Sequence, residues 1–206
     1  MTMGIAERRA REREGRRRAI LDATRQLVRE HGFGGTTTRQ IADRCELSEA
    51  TLFFYFSSKD EILISLLEEA CHFWADGLET ILASNKPSRQ KLTDVWSFFG
   101  DVQSEHPEYV HVSTYLAQPQ STTSVDSEVM ANLKKLTGEN FRRLSDLMGD
   151  LDGVTNPRLT ADVLWSAFLG LMVLRQGRAS LGAPEHPDAS GLADALNLLA
   201  TGIAPS

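Results

Sequence analysis

Seven arginines, Arg8, Arg9, Arg11, Arg13, Arg16, Arg17 and Arg18, precede the first apolar residues that recur at helical spacing. Such a cluster can neutralise a polyanion, although Glu7, Glu12 and Glu14 dilute it and a solvated, frayed helix start explains it equally well. Charge is divided unevenly: residues 1–60 carry +3 and the remainder −9, for a net −6. An acidic body with a basic head implies that only the head meets a polyanion. A second unusual group is the aromatic run Phe53, Phe54, Tyr55 and Phe56. Enzymatic chemistry finds less to use. The chain has no G-x-S-x-G, no G-x-x-x-x-G-K-[ST] and no G-x-G-x-x-G, and GFGG at 32–35 reads as a turn. His106, Glu108 and His111 cluster near one helix start, but His106 precedes Pro107 and falls outside the helix, so a shared metal-binding face is not expected.

Cys71, beside His72, can be read as a thiol sensor or as a buried cysteine. With Cys45 it forms neither a disulfide framework nor a metal spacing, which suits a reducing cytoplasm. No catalytic residue, metal ligand or cofactor is assigned, and the chain is read as a non-enzyme. No apolar segment follows the arginines as a signal peptide requires, and LWSAFLGLMVL at 164–174 is too short to span a bilayer. A soluble, cytoplasmic protein with no membrane partner is the expectation.

These groups need elements to position them, and helical spacing recurs throughout the chain. Ile20, Ala23, Leu27 and Val28 share one face of a helix from Arg16 to about His31, stopped by Gly32. Three helix starts then follow in quick succession. Thr37 with Gln40 fits a capping box, Ser48 can cap a second helix, and Ser58 with Glu61 forms another box. Two short helices joined by a tight turn are helix-turn-helix punctuation. On a helical wheel, Leu52, Phe56 and the ring of Tyr55 face inward, whereas Phe54 projects outward beside Ala50. An exposed Phe next to a small residue suits thymine methyl groups in a major groove; contact with a neighbouring helix is the alternative.

At these residues the sequence resembles the TetR family of transcriptional regulators. From about Arg17 to Leu67 it has an apolar helix, a Gly-rich turn, T-T-x-x-I-A and S-x-A-T-L-F-F-Y-F-x-S-K-x-E-I-L. The resemblance implies a homodimer whose two recognition helices enter successive major grooves of a near-palindromic double-stranded operator. Thr37 and Thr38 match positions that hold phosphate, and Arg39 one that reads guanine or contacts phosphate. Ser48, Glu49, Ala50 and Thr51 match the start of the recognition helix, Tyr55 a phosphate-touching aromatic, and Lys59 a phosphate-neutralising base. Phe53 stands where the family usually has Tyr, removing one hydroxyl. Glu49 stands where Lys, Arg or Gly is frequent; it can accept from cytosine N4 or favour the helix N-terminus through the macrodipole. The arginine-rich arm can restore affinity by phosphate contact or by minor-groove entry.

The expected fold class is all-α: an N-terminal basic arm and three-helix helix-turn-helix DNA-binding domain over 1–57, joined by a long helix to a ligand-binding and dimerisation domain over 58–206. The long helix runs from Ser58 to about Ser84; helices follow from Pro87, from Pro107, at about 125–149, at 158–181 and near 189–203, with QPQSTTS at 118–124 as a loop. Cys71, Trp74, Trp96, Phe99, Tyr109, Tyr115, Met130 and Phe141 are candidates to line a cavity for a small, largely apolar effector, or to fill core. His72, Gln103 and His111 are polar groups that could orient such a ligand. The helix around Leu164–Leu174 is apolar nearly all round and must be covered on two sides. Leu164, Phe168, Leu171, Leu192, Leu196 and Leu199 are the candidate dimer seam. The resulting expectation is a ligand-released repressor; the alternatives are a non-specific DNA binder using the arm and a thiol-sensing regulator through Cys71.

Overall fold

The computed structural model describes residues 4–115 and 127–182, and among these every regular element is a helix. In chain order they are α1 (Ile5–Gly35), α2 (Thr38–Arg44), α3 (Glu49–Tyr55), α4 (Lys59–Leu82), α5 (Ser88–Glu105), α6 (Pro107–Tyr115), α7 (Ser127–Gly149) and α8 (Pro157–Ser180). The expected loop at 118–124 and last helix at 189–203 lie outside the described residues, as do Leu192, Leu196 and Leu199. Two compact units divide the chain: Met1–Glu69 with His111–Leu133, and Ala70–Val110 with Lys134–Ser206.

The first unit is organised by α1. Helical structure begins at Ile5, about four turns before the apolar stripe, so the arginine-rich segment is itself helical. Gly32 adopts φ 68°, ψ 176°, which breaks the helix where glycine was expected to stop it; a further turn then runs to Gly35. Thr36, fully buried, fixes this corner by donating its hydroxyl to the Gly32 carbonyl at 2.9 Å. Ile20, Ala23, Leu27 and Val28 meet Ile41 and Ala42 of α2, Leu52 and Phe56 at α3, and Ile62, Leu63 and Leu66 of α4 in the buried core. Burying this many Leu, Ile and Phe side chains, at roughly 1.5–3 kcal/mol each, is what holds such short helices.

The turn between α2 and α3 is closed by the Leu47 amide donating to the Ala42 carbonyl at 2.9 Å. Glu46 takes a left-handed φ of 55° to make that corner. Ser58 starts α4 as expected: its hydroxyl accepts from the Glu61 amide at 3.1 Å, while the Glu61 carboxylate accepts from both the amide and the hydroxyl of Ser57 at 2.6 Å.

The second unit has an aromatic centre. Trp74 of α4 packs edge to face on Phe98 and Phe99 of α5 and on Trp165 and Phe168 of α8, with centroids 4.9–5.8 Å apart. Trp96 closes the cluster against Phe99 and Phe168, each at 5.9 Å. Buried Asn140 of α7 donates to the Cys71 carbonyl at 2.9 Å, pinning α7 to α4 within this unit. At the end of α4 the Lys91 ammonium donates to the Leu82 carbonyl at 2.7 Å, satisfying a terminal acceptor at the negative end of the helix. Asn156 caps α8 by accepting from the Leu159 amide at 3.1 Å, with Pro157 in the first helical position.

Candidate nucleic-acid interface

The recognition element is set up from beneath by its caps. Thr37 and Gln40 complete the capping box: the Gln40 amide donates to the Thr37 hydroxyl at 3.2 Å and the Thr37 amide to the Gln40 carbonyl at 2.8 Å. The Ser48 hydroxyl accepts from the Thr51 amide at 3.1 Å and lies 2.8 Å from the Thr51 hydroxyl. Between the two short helices, the Thr38 hydroxyl donates to the Glu49 carboxylate at 2.8 Å. Glu49 therefore ties α3 to the first turn of α2, a use not foreseen from its identity. The Thr37 hydroxyl donates to Gln40 at 2.8 Å, so both threonine protons are engaged within the protein. A phosphate, which only accepts, can take either proton only by displacing that internal partner.

What remains outward is a continuous face. Arg39, Ala50 and Thr51 are exposed, Phe53 is 45% exposed and Phe54 is 69% exposed, whereas Leu52 and Phe56 are buried. The wheel's division of the aromatic run is therefore realised, with Tyr55 half-buried and its ring edge-on to Phe54 at 5.3 Å. Lys59 is half-buried, and burial pulls its pKa below the ordinary lysine value, partly offset by Asp60. An anion placed there would favour the charged form and oppose that shift.

One residue of the arm does work that its type alone did not reveal. The Arg17 guanidinium sits 3.9 Å from the centroid of the Phe56 ring, donates to the Tyr55 carbonyl and lies 3.6 Å from the Glu61 carboxylate. It closes the C-terminal end of α3 onto α1 and the start of α4. The spacing signal was present, since Arg17 stands three residues before Ile20 and four before Leu21, on the helix's apolar side.

Most of the other candidates come together in the second unit. Trp74, Trp96 and Phe99 are brought together in the second unit, and Phe141 reaches them through Trp165 at 6.0 Å. Tyr109 lies beside Phe73 and His106, with centroids at 5.6 and 5.2 Å, and joins the same cluster through Phe73, which stacks on Phe98 at 5.9 Å. Met130 is half-buried and belongs to the first unit, and the side chain of Tyr115 is not among those described. Phe73, Phe98 and Trp165 were missed because periodicity marks apolar faces without saying which faces meet. Cys71 is buried, 6% exposed, its carbonyl held by Asn140. No metal-holding group of His, Cys, Asp or Glu occurs among the described residues.

The dimer-seam candidates need correction on α8. Leu164 and Phe168 are 5% and 0% exposed inside the chain's own unit, because with Ala161 and Met172 they form its inward face. Leu171 is half-buried. The run at 164–174 also belongs to a longer apolar segment: Pro157–Arg175, 19 residues with mean hydropathy 1.3, has the length and composition of a membrane-crossing helix. Core helices of soluble proteins share that length and composition, and the inward Ala161, Leu164, Phe168 and Met172 give α8 a core face.

A capped helix-turn-helix with an exposed, partly aromatic second helix and a locked interior defines the class of helix-turn-helix DNA-binding regulators. Residues 20–66 match the bacterial regulatory proteins of the tetR family. The regulator RutR of Escherichia coli K12 is 32% identical over 191 residues, covering 90% of this chain and 76% of RutR. The chain belongs to the TetR family of bacterial regulators. The repressor NicS of Pseudomonas putida is 27% identical over 131 residues, 64% of this chain, and the chain spans only 60% of its length. The fold is shared with the Bacillus subtilis regulator FadR, crystallised with stearoyl-CoA, at a TM-score of 0.69 and 18% identity over 90% of this chain and 98% of that one.

Proposed function

We propose that this chain is a sequence-specific repressor that binds a near-palindromic operator as a homodimer and is released by a small, largely apolar ligand. The observation that carries the reading is the outward face of Ala50, Thr51, Phe53 and Phe54 on a helix whose other side is buried and whose start is capped. Apolar groups there can meet thymine methyls, and Arg39 beside them can read guanine O6 and N7 as a bidentate donor. Base reading is assigned to 1–57, and ligand binding and dimerisation to 58–206.

The ligand half of the reading is supported by polar atoms in the aromatic unit. The indole nitrogens of Trp74 and Trp96 and the side-chain carbonyl of Gln103 are buried without a hydrogen-bond partner among the described residues. Leaving such a group unsatisfied costs about 1–3 kcal/mol, which a ligand carrying both apolar surface and a carbonyl or hydroxyl would recover. FadR, a protein of the same fold, holds stearoyl-CoA in its crystal structure, an example of a ligand with a long apolar part. In mechanism, the ligand favours dimers whose recognition helices are spaced wrongly for one operator, a shift of population. The buried setting of Cys71 argues against the thiol-sensing alternative.

The test is fluorescence anisotropy of the full chain with DNA from upstream of its own gene and with scrambled DNA. A preference of about a thousandfold or more is expected. Arg39→Ala should relax that preference by about 1–3 kcal/mol at the contacted base. Equal affinity for both DNAs, unchanged by Arg39→Ala, would leave the chain a non-specific binder.

A further inference from the structure

We propose that Arg9, Arg13 and Arg16 form one phosphate-binding face on α1, extending DNA contact along the backbone beside the bases read by α3. The inference rests on the DNA-binding reading above and assigns its arm a role.

The arginines of the arm are sorted by face. Arg8 pairs with Glu12 at 3.7 Å and Arg18 with Glu14 at 4.0 Å, both four residues apart. Arg17 turns inward onto Phe56 and Glu61. Arg9, Arg13 and Arg16, spaced i, i+4, i+7, share one side of the helix and have no ion pair among the described residues. With Glu12, Ala19, Phe54 and Tyr55 they line an open groove of about 680 Å³. Glu12 is the one carboxylate there, and Arg8 already pairs with it. The Arg13 guanidinium lies 5.8 Å from the centroid of the Phe54 ring, so the row is continuous with the outward face of α3.

Two physical arguments choose backbone contact. From Ile5 to Ala19 every residue is exposed except half-buried Arg17, so no core holds this segment, and exposed i,i+4 pairs contribute only a few tenths of a kcal/mol each. An all-exposed helix with an unneutralised cationic row gains most from a polyanion laid along it. The segment is also helical, and a helix about 10–12 Å across does not enter a minor groove about 6 Å wide. The helix itself therefore stays outside the minor groove, which favours contact with the backbone along its rim. From Arg9 to Arg16 the helix rises about 10 Å, the axial span of about three phosphates on one strand.

The test uses the full chain, with the triple variant Arg9→Gln, Arg13→Gln, Arg16→Gln, its lysine counterpart, and the control Arg11→Gln, Arg18→Gln. Anisotropy is measured on upstream and on scrambled DNA from 50 to 200 mM salt, with helix content followed by circular dichroism. The glutamine triple should flatten the slope of log affinity against log salt by about 0.9 for each arginine, about 2.7 per protomer, equally on both DNAs. The lysine triple should keep the wild-type slope, and the control should leave it unchanged. An unchanged slope in the glutamine triple, or a loss confined to upstream DNA, would overturn the proposal. So would an equal fall in the control, which would make total charge the cause. Scrambled DNA alone decides the arm's role, whereas the wild-type ratio between the two DNAs decides whether the chain is a specific regulator.

Discussion

At the scale of single residues, the helix-turn-helix is held by arginines turned onto their own protein. Arg17 is the clearest: its guanidinium stacks on Phe56, donates to the Tyr55 carbonyl and faces Glu61. A partly buried cation–π contact contributes about 0.5–2 kcal/mol and a charge-assisted hydrogen bond about 1.5–3, and the shared geometry makes the sum less than additive. Arg17→Ala should destabilise the chain by about 2 kcal/mol in urea unfolding. Arg17→Lys should recover little, since an ammonium cannot stack and fork at once. Arg44, which joins α2 to α1, gives a pH prediction. It donates to both carboxylate oxygens of Glu30, at 2.9 and 2.8 Å, and holds that acid below its ordinary 4.5. A carboxyl depressed in the folded state contributes its stabilisation above the ordinary value and loses it as pH falls through the lowered one. Unfolding free energy measured from pH 6 downward should therefore fall below about pH 4.5 in the wild type, and that part of the slope should vanish in Glu30→Gln.

At the scale of elements, the short helices were legible and the long ones only in outline. Thr37, Ser48 and Ser58 announced three helix starts because a cap is a local event, decided by a side chain and an amide two or three residues away. The start of α1 at Ile5 was not legible, since Arg and Glu are good helix formers that carry no apolar periodicity. Nor was the pairing of faces. Phe98 reads as one more apolar residue of α5, yet its ring lies over Gly77 of α4, where an added Cβ would come within 2.1 Å of the ring's Cζ. Phe73 and Trp74 pack on that same ring, so it has little room to retreat. Gly77→Ala gains about 1 kcal/mol of helix propensity and meets an overpacking penalty of about 1–3 kcal/mol. A net loss of about 1 kcal/mol by thermal or urea unfolding is expected, reversed when Phe98→Leu makes room. A stabilised Gly77→Ala would mean that the ring moves freely.

At the scale of the whole molecule, the question is what covers the outer side of α8. Leu159, Val163, Val173 and Leu174 are 47–57% exposed, and with exposed Ser166 and Gly170 they repeat at steps of four and three along one stripe. The stripe is opposite to the inward Leu164 and Phe168, which is why naming the seam from hydrophobicity alone chose core residues: on a helix apolar all round, composition does not distinguish the two sides. An apolar stripe of this length is covered by a second copy of the chain or by lipid, and the small residues at its middle favour the close approach of another helix. Gly170 allows a clean test, because an added Cβ meets nothing within 4 Å in the chain itself. Gly170→Arg should therefore leave the single chain folded, even gaining up to about 1 kcal/mol of helix propensity. Light scattering after size exclusion, in buffer without detergent, should show the wild type at twice the monomer mass and Gly170→Arg as a monomer. Operator affinity should fall with it, since one recognition helix reads only a half-site. If Gly170→Arg remains dimeric and keeps full operator affinity, the partner sits elsewhere on the chain; if the wild type is soluble only with detergent, the stripe faces lipid.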